Sequence, residues 1–264
     1  MRTFDAEYLH ETRRGMWADS REALAELDLE SCDRVLDVGC GEGALTRVLR
    51  EECPGEVVGC DRDVELLSDV GGPVVRGDAY RLPFADDSFD LVVCQALLIN
   101  LPDPAAAVAE FARVSTNLVA AIEPDNGAVT VESSVAREAT LEQRARQAYL
   151  DGVDTDVALG ADARSAFESA GLDVQETRRY DHVRTVEPPY SEGAIVAARR
   201  KATGAGLADD RETMLAGSLT KSEYDDLRSA WREMGRCVVE QLTDRTYRRR
   251  EAVPFYVTVG SVCR

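Results

Sequence analysis

The 264-residue sequence contains few lysines and few histidines. Lys201 and Lys221 are its only lysines, so arginine carries nearly all of the positive charge. With 49 acidic and 31 basic residues, the formal net charge is −18. This charge disfavours a nucleic-acid partner, because binding to phosphates depends on exposed positive charge. The composition indicates a halophilic protein from a high-salt cytoplasm, where salt screens the repulsion between carboxylates, and an ordinary acidic protein is the alternative.

Long apolar runs and paired cysteine motifs are also absent from the sequence. No stretch approaches the roughly 20 apolar residues of a membrane-spanning helix, and residues 1–17 contain no apolar signal-peptide core. The seven cysteines include no C-x-x-C pair, and one of them stays unpaired in any full disulfide scheme. We therefore expect a cytoplasmic protein with reduced thiols, without a membrane partner and without a metal centre.

Apolar strand patterns alternate with helix patterns through the first half of the chain. Continuous apolar strands separated by helices indicate a parallel sheet that is covered on both faces, with ligands at the carboxyl ends of the strands. The predicted fold class is therefore α/β, Rossmann-like and doubly wound. The strands are predicted over residues 33–39, 55–61, 73–79, 89–98 and 117–125.

The second half of the chain follows a looser pattern. A helical segment that stops at Gly171 is followed by a predicted strand over roughly 173–186. About 65 residues with helical character come next, and an apolar strand over 252–262 follows them. We predict a single domain over 1–264, which comprises an N-terminal helical cap (1–30), a cofactor-binding half (31–126) and a helical lid insertion (187–251).

A glycine-rich bend follows the first predicted strand. In VLDVGCGEG, Gly39, Gly41 and Gly43 alternate with other residues between the strand and a helix. Glycine lets the backbone pass close to a ligand and adopt angles that other residues avoid. The dinucleotide fingerprint G-x-G-x-x-G would require a third glycine at Ala44, so the spacing disfavours a nicotinamide dinucleotide.

Acidic residues stand at the ends of the first three predicted strands. Asp37 would repel a pyrophosphate and attract an ammonium or sulfonium group. Asp61 lies about 20 residues beyond the bend, where an acid commonly binds the two hydroxyls of a ribose. Asp78 can accept a hydrogen bond from an adenine amino group, with the Ala79 N–H available to a ring nitrogen. Together these residues predict a nucleoside ligand that carries a positive charge.

These segments resemble the class I S-adenosylmethionine-dependent methyltransferases. Across about residues 33–125, the segments VLDVGCGEG, VVGCDRD, GDAYRLPFADDSFDLVVCQALLINLPDP and NLVAAIEPD follow the order and spacing of that family's motifs. The stretch LPFADDSFDLV resembles the branch that methylates small molecules. The resemblance implies a seven-stranded sheet of order 3-2-1-4-5-7-6 with an antiparallel last strand. It also implies S-adenosyl-L-methionine as cofactor and in-line methyl transfer to a small molecule.

The resemblance further implies roles for individual residues. Asp37 and the glycine bend would hold the methionine part of the cofactor, Asp61 its ribose and Asp78 its adenine. Arg62 would flank the adenine, and Gln95 would lie near the sulfonium methyl. The implied cofactor-binding residues are Asp37, Gly39, Cys40, Gly41, Gly43, Asp61, Arg62, Asp78, Ala79 and Gln95.

The methyl-acceptor side of the site is less defined by the sequence. Many members of the family carry a histidine where this chain has Asn100, so His182 and His10 are the remaining candidates for a general base. A dedicated base is not required for every acceptor, because a sulfonium is a good leaving group. Glu123 ends the fifth predicted strand and either binds a polar substrate group or belongs to a turn. The candidate substrate contacts are Trp17, Asn100 and Tyr180.

Other functions remain open at this stage. A nicotinamide-dependent oxidoreductase is disfavoured by Asp37 and by the glycine spacing. The missing loop histidine is the reason to consider a non-catalytic cofactor-binding protein as a further alternative. The sequence leaves the acceptor and the oligomeric state open.

Overall fold

The structure, a computed structural model, describes residue 17 and residues 21–263. The first described elements are two short 3₁₀ helices, Arg21–Leu27 and Leu29–Ser31. Most of the predicted N-terminal cap (1–30), including His10, lies outside the described residues. No described helix is both long and apolar enough to cross a membrane.

Strands and helices alternate in the order that the sequence pattern predicts for the first half of the chain. The strands are β1 (Arg34–Val38), β2 (Glu56–Asp61), β3 (Val74–Arg76), β4 (Phe89–Gln95), β5 (Ser115–Pro124), β6 (Thr130–Ser133), β7 (Leu172–Val186) and β8 (Arg249–Val262). The helices are α1 (Ala44–Glu52), α2 (Val64–Leu67), α3 (Pro104–Val114), α4 (Glu138–Leu150), α5 (Ala163–Ser169), α6 (Glu192–Thr203), α7 (Ala205–Asp209), α8 (Arg211–Ala216) and α9 (Lys221–Thr243).

The sheet has eight strands in the order β3-β2-β1-β4-β5-β8-β6, and β7 also pairs with β8. Strands β1 to β5 pair in parallel, whereas β8 runs antiparallel to β5 and β6. The α/β fold and the antiparallel last strand are thus confirmed. The predicted count of seven strands is wrong, because Thr130–Ser133 forms an additional short strand. Its residues are exposed or half-buried, so it has no apolar run to signal a strand.

The strand order reverses between β1 and β4, which lie side by side. The chain moves outward from β1 through β2 to β3, and then returns to β4 on the other side of β1. Residues 35–38 of β1 and 91–95 of β4 are all buried, so both faces of these strands are covered. In open parallel sheets the crevice outside such a reversal binds ligands. A ligand-binding site is therefore expected at the carboxyl ends of β1 and β4.

The described residues belong to two compact units. Among the described residues, the first comprises residue 17 and residues 21–125, 159–180 and 254–263, and it contains β1 to β5. The second comprises residues 126–158 and 181–253, and it contains α4, β6 and the helices α6 to α9. The helices of the predicted insertion 187–251 thus belong to the same unit as the segment 126–158.

In the second unit, α6 and α9 pack closely against each other. A Cβ atom at Gly235 of α9 would lie 2.3 Å from backbone atoms of Lys201 and Ala202, so the two helix backbones approach closely at this point. Helix α9 begins with a capping box, in which the Thr220 hydroxyl accepts from the Glu223 N–H and the Glu223 side chain accepts from the Thr220 N–H.

Candidate active site

The glycine bend after β1 requires glycine for both backbone and spatial reasons. Gly39, Gly41 and Gly43 all have left-handed φ angles, of 70°, 55° and 76°. A Cβ at Gly39 would lie 2.8 Å from a methyl carbon of Leu97, and one at Gly43 would lie 2.6 Å from a methyl carbon of Val70. A side chain at either position would require Leu97 or Val70 to move, in addition to the strained φ angle. The bend therefore presents bare backbone at the carboxyl end of β1.

The carboxylate of Asp61 joins the end of β2 to this bend. Its Oδ2 accepts from the Gly41 N–H at 2.9 Å, and its Oδ1 accepts from the Asp63 N–H at 2.9 Å. Asp61 is only half-buried. Each carboxylate oxygen has a second lone pair, so Asp61 keeps acceptor capacity for the hydroxyls of a ligand. Asp61 is thus hydrogen-bonded to the bend through the Gly41 N–H.

Asp37 lies beneath the same bend and is 1% exposed. Its Oδ2 accepts from the Thr46 hydroxyl at 2.6 Å, and Thr46 is fully buried in the first turn of α1. The sequence reading missed Thr46, because no local pattern connects a strand residue with a hydroxyl nine positions later. Asp37 therefore fixes the start of α1 as well as supplying negative charge to the bend.

Two buried thiols, Cys40 and Cys60, lie near the bend and have raised pKa values. Burial raises the pKa of Cys60 to about 12, and the charges of Asp61 and Asp37 add to this rise. Burial raises the pKa of Cys40 even further, again with both aspartates contributing. The thiols are therefore protonated near neutral pH. Burial is the main cause of both rises, and the nearby charges of Asp37 and Asp61 would favour a cationic group and oppose a diphosphate.

The segment after β3 starts beside the end of β2. Asp61 is the register partner of Arg76 on β3, and the Gly77 N–H donates to the Asp61 backbone oxygen at 3.0 Å. Asp78 is exposed, and its Oδ1 accepts from the Tyr80 N–H at 2.9 Å. The structure thus brings the predicted ribose and adenine acids to one edge of the sheet.

Arg62 and Ala79 lie in the same two segments. Arg62 directly follows β2, its side chain is exposed, and its backbone oxygen accepts from the Arg76 Nε at 3.3 Å. Ala79 is half-buried.

Among the described residues, no group of three or more histidine, cysteine or acidic side chains could hold a metal ion.

The loop after β4 lies against the glycine bend, since the Leu97 side chain occupies the space next to Gly39. Gln95 ends β4 and is 2% exposed, and the next residue, Ala96, has a left-handed φ of 48°. The Asn100 Nδ2 donates to the Ala96 oxygen at 2.9 Å. The Asn100 Oδ1, on the other side of the amide group, therefore faces away from that oxygen. This buried Oδ1 has no hydrogen-bond partner among the residues that the structure describes.

Glu123 at the end of β5 holds this loop, a role that the sequence reading missed. The side chain is fully buried, and its carboxylate accepts from the N–H groups of Leu97, Leu98 and Ile99 at 3.0, 2.9 and 3.3 Å. Glu123 therefore binds the chain itself and is not one of the turn residues that follow β5.

The remaining candidates lie at different places in the fold. Trp17 is 7% exposed, and its backbone oxygen accepts from the Arg21 Nε at 3.3 Å. Tyr180 is half-buried on β7 in the first unit. His182 is 6% exposed on the same strand, where the chain has entered the second unit.

A glycine turn after the first strand of a Rossmann-like sheet, with acids at the ends of the next two strands, is the arrangement that the resemblance to the class I S-adenosylmethionine-dependent methyltransferases implies. Residues 36–117 match the family model described as a methyltransferase domain. This segment is therefore similar to methyltransferase domains, and the cofactor that the similarity indicates is S-adenosylmethionine. The residues at the bend fit that cofactor, because they combine a negative potential with acceptors at the end of β2.

Relatives of known name support this class. A demethylmenaquinone methyltransferase of Lactiplantibacillus plantarum is 38% identical over 107 residues, which cover 36% of this chain and 45% of that protein. A 2-phytyl-1,4-naphtoquinone methyltransferase of Synechococcus elongatus is 38% identical over 95 residues, which cover 31% of this chain and 41% of that protein. Both matches span less than half of the relative.

A solved structure shares the fold over nearly the whole chain. A protein of Bacillus halodurans C-125, crystallised as a candidate methyltransferase, superposes with a TM-score of 0.56 at 18% identity. The superposition covers 94% of this chain and 100% of that one. At this level of identity the similarity concerns the fold.

Proposed function

We propose that the chain transfers a methyl group from S-adenosylmethionine to a small molecule. The observation that carries the proposal is the bend at residues 39–43, which is hydrogen-bonded to Asp61 and lies above the buried Asp37. This arrangement favours a positively charged ligand with a ribose, and it opposes the diphosphate of a nicotinamide cofactor.

The residues around the bend have distinct roles in this proposal. When bound, S-adenosylmethionine supplies a methyl group on a sulfonium centre, which the acceptor atom attacks in line. Asp37 and the bend hold the methionine part, and Asp61 accepts from the ribose hydroxyls. Asp78 and Ala79 bind the adenine, with Arg62 beside it. Gln95, at the end of β4, faces the methyl group together with the loop that follows it.

Asn100 is the substrate contact that the geometry supports best. Its amide nitrogen faces a backbone oxygen, so the amide orientation is fixed, and its buried Oδ1 lacks a donor among the described residues. A buried carbonyl oxygen without a donor is costly, and an acceptor molecule with a hydroxyl or amine N–H would satisfy it. Trp17 and Tyr180 remain proposed substrate contacts, and His182 and His10 remain proposed bases.

The relatives suggest where to begin the search for the acceptor. Both named relatives act on naphthoquinone compounds, whose reduced forms carry hydroxyl groups. A reduced demethylated naphthoquinone is therefore the first compound to test. The helical insertion at 187–251 stays a proposed lid, and specificity for the acceptor is expected to depend on it.

The proposal is tested by titrating the protein with S-adenosylhomocysteine, NAD and NADP in a calorimeter. We expect binding of S-adenosylhomocysteine alone. Asp61→Asn should weaken that binding by about tenfold, the effect of one hydrogen bond to a charged group. Asp90→Asn is the matched control, because the Asp90 carboxylate also accepts two backbone N–H groups, but at the amino end of β1.

Two outcomes would overturn parts of the proposal. Binding of NAD or NADP without S-adenosylhomocysteine would favour an oxidoreductase. Binding of S-adenosylhomocysteine without any transfer of a labelled methyl group to quinols or to a metabolite extract would favour a non-catalytic cofactor-binding protein.

A further inference from the structure

A fully buried carboxylate holds the loop that borders the glycine bend. Oε1 of Glu123 accepts from the N–H groups of Leu97 and Leu98, and Oε2 accepts from that of Ile99. These N–H groups belong to the start of the 3₁₀ helix Leu98–Asn100, where a helix has no internal acceptors for its first donors. The carboxylate and the N–H groups at the start of the helix therefore satisfy each other's hydrogen-bonding capacity in a site that is buried from water.

The loop adopts a conformation that needs such support. Ala96 has a φ of 48°, in the left-handed region that side-chain-bearing residues rarely adopt. The Ala96 N–H donates to the oxygen of Ile122 on β5 at 2.9 Å, and the Ala96 oxygen accepts from Asn100. Two consecutive residues of β5, Ile122 and Glu123, thus bind the loop from one side.

The same loop reaches the glycine bend on its other side. The methyl groups of Leu97 fill the space beside Gly39, where a Cβ would come within 2.8 Å of them. The residue before the loop is Gln95, and the residue at its end is Asn100. The end of β5 is therefore connected through one loop to the bend and to two proposed ligand contacts.

We propose that Glu123 is a positioning residue for the methyl-transfer site. Its carboxylate sets the position of residues 96–100 against the glycine bend, and thereby places Gln95 and Asn100. This inference rests on the proposed function for the meaning of the site, but the restraint on the loop can be measured without any ligand.

The experiment combines amide hydrogen exchange with S-adenosylhomocysteine titration in Glu123→Gln. The glutamine oxygen can replace Oε1 toward Leu97 and Leu98, whereas its amide group would face the Ile99 N–H donor to donor. We expect the Ile99 amide to exchange about tenfold faster, and the affinity for S-adenosylhomocysteine to fall by about tenfold. The amide of Leu101, which donates to the Leu98 oxygen, should change less.

Asp90→Asn again supplies the control for a general loss of stability. Its carboxylate accepts from the Asp33 and Arg34 N–H groups at 2.8 Å, far along the strands from the bend. A purely structural role for Glu123 predicts equal affinities for S-adenosylhomocysteine in the two variants once their melting temperatures match. Weaker binding in the Glu123 variant alone supports the proposal.

A second variant keeps the test decisive if Glu123→Gln does not fold. Leu97→Ala leaves the carboxylate in place and removes the contact between the loop and Gly39. It should weaken S-adenosylhomocysteine binding while the Leu98 and Ile99 amides stay protected. Unchanged affinity in this variant would overturn the proposal. If the unmodified protein binds no S-adenosylhomocysteine, the proposed function fails, whereas the exchange data still report whether Glu123 restrains the loop.

Discussion

At the scale of single residues, two glycines with similar φ angles are constrained to different degrees. Gly43 and Gly71 have φ angles of 76° and 66°. A Cβ at Gly43 would overlap Val70, whereas one at Gly71 would meet no atom within 4 Å. Comparing substitutions at these two positions therefore separates the free-energy cost of a left-handed backbone from the cost of an overlap with neighbouring atoms. Both residues lie outside strands, so no ladder hydrogen bond complicates the comparison.

We predict that Gly43→Ala destabilises the protein more than Gly71→Ala does. The left-handed backbone alone costs an alanine about 1–2 kcal/mol, and overlap in a packed region adds about 1–3 kcal/mol. Urea unfolding of both variants measures the difference. Gly43→Ala should also weaken S-adenosylhomocysteine binding, because it moves the bend. Equal stability of the two variants would show that Val70 yields to the new methyl group without cost.

The same scale shows which site residues are predictable. The roles of glycines and acids at strand ends can be predicted from the local sequence, because the strand itself places them at the edge of the sheet where ligands bind. Glu123 and Thr46 depend on partners that only the fold brings close. The Glu123 carboxylate reaches N–H groups 24 to 26 positions earlier in the chain, and no sequence period marks that distance.

At the scale of elements, a buried ionic network connects α4, α6 and β8 in the second unit. Lys201 Nζ contacts the carboxylates of Glu138 and Glu142, and Arg249 binds Glu142 and Glu251 at 2.6 and 2.5 Å. Burial alone raises the pKa of Glu251, but Arg249 and other arginine charge outweigh it and hold this pKa at about 2. Glu251 is therefore ionised at neutral pH, and the network places charged side chains in the interior of this unit.

The two lysines of the chain provide a matched test of this network. Lys201→Met keeps most of the side-chain volume but leaves Glu138, which is fully buried, and Glu142 without their ammonium partner. Breaking one side of a buried ion pair costs about 3–5 kcal/mol, so we expect a loss of that order in the free energy of unfolding. Lys221→Met, at the exposed start of α9, should change it by less than about 0.5 kcal/mol.

Equal stability of the two lysine variants would mean that arginines alone neutralise the network. Circular dichroism during urea unfolding measures the difference. A third variant, Glu142→Gln, should lose less stability than Lys201→Met, because it removes a single negative charge, and Lys201 and Arg249 keep Glu138 and Glu251 as carboxylate partners.

Most strand boundaries can be predicted from the sequence, and one strand is missed. Of the five strands that line the site, all but the short β3 have buried runs, and each of the five is predicted within a few residues. Strand β6 has the pattern TVES with no buried residue, so its pairing with β8 depends on backbone contacts that leave no hydropathy signal. The order of strands β7 and β8 along the sheet likewise depends on long-range pairing and not on local pattern.

At the scale of the whole molecule, the charge of −18 acts on every part of the surface. Acidic residues outnumber basic ones by 49 to 31, so carboxylates are in excess over basic groups. Their mutual repulsion destabilises the folded state at low ionic strength, because folding brings like charges closer together. We therefore propose that the protein is adapted to a high-salt cytoplasm.

This proposal predicts that the melting temperature rises with KCl concentration. The Debye length falls from about 10 Å at 0.1 M to about 3 Å at 1 M, so most of the repulsion is screened by molar salt. A rise of about 5 °C corresponds to roughly 2 kcal/mol for a chain of this size. Scanning fluorimetry between 0.1 and 2 M KCl measures it, and the same scan in sucrose controls for solute exclusion. If charge repulsion is responsible, most of the rise in melting temperature occurs below 1 M KCl. A melting temperature that stays flat or falls with KCl would identify an ordinary acidic protein whose surface charge serves solubility alone.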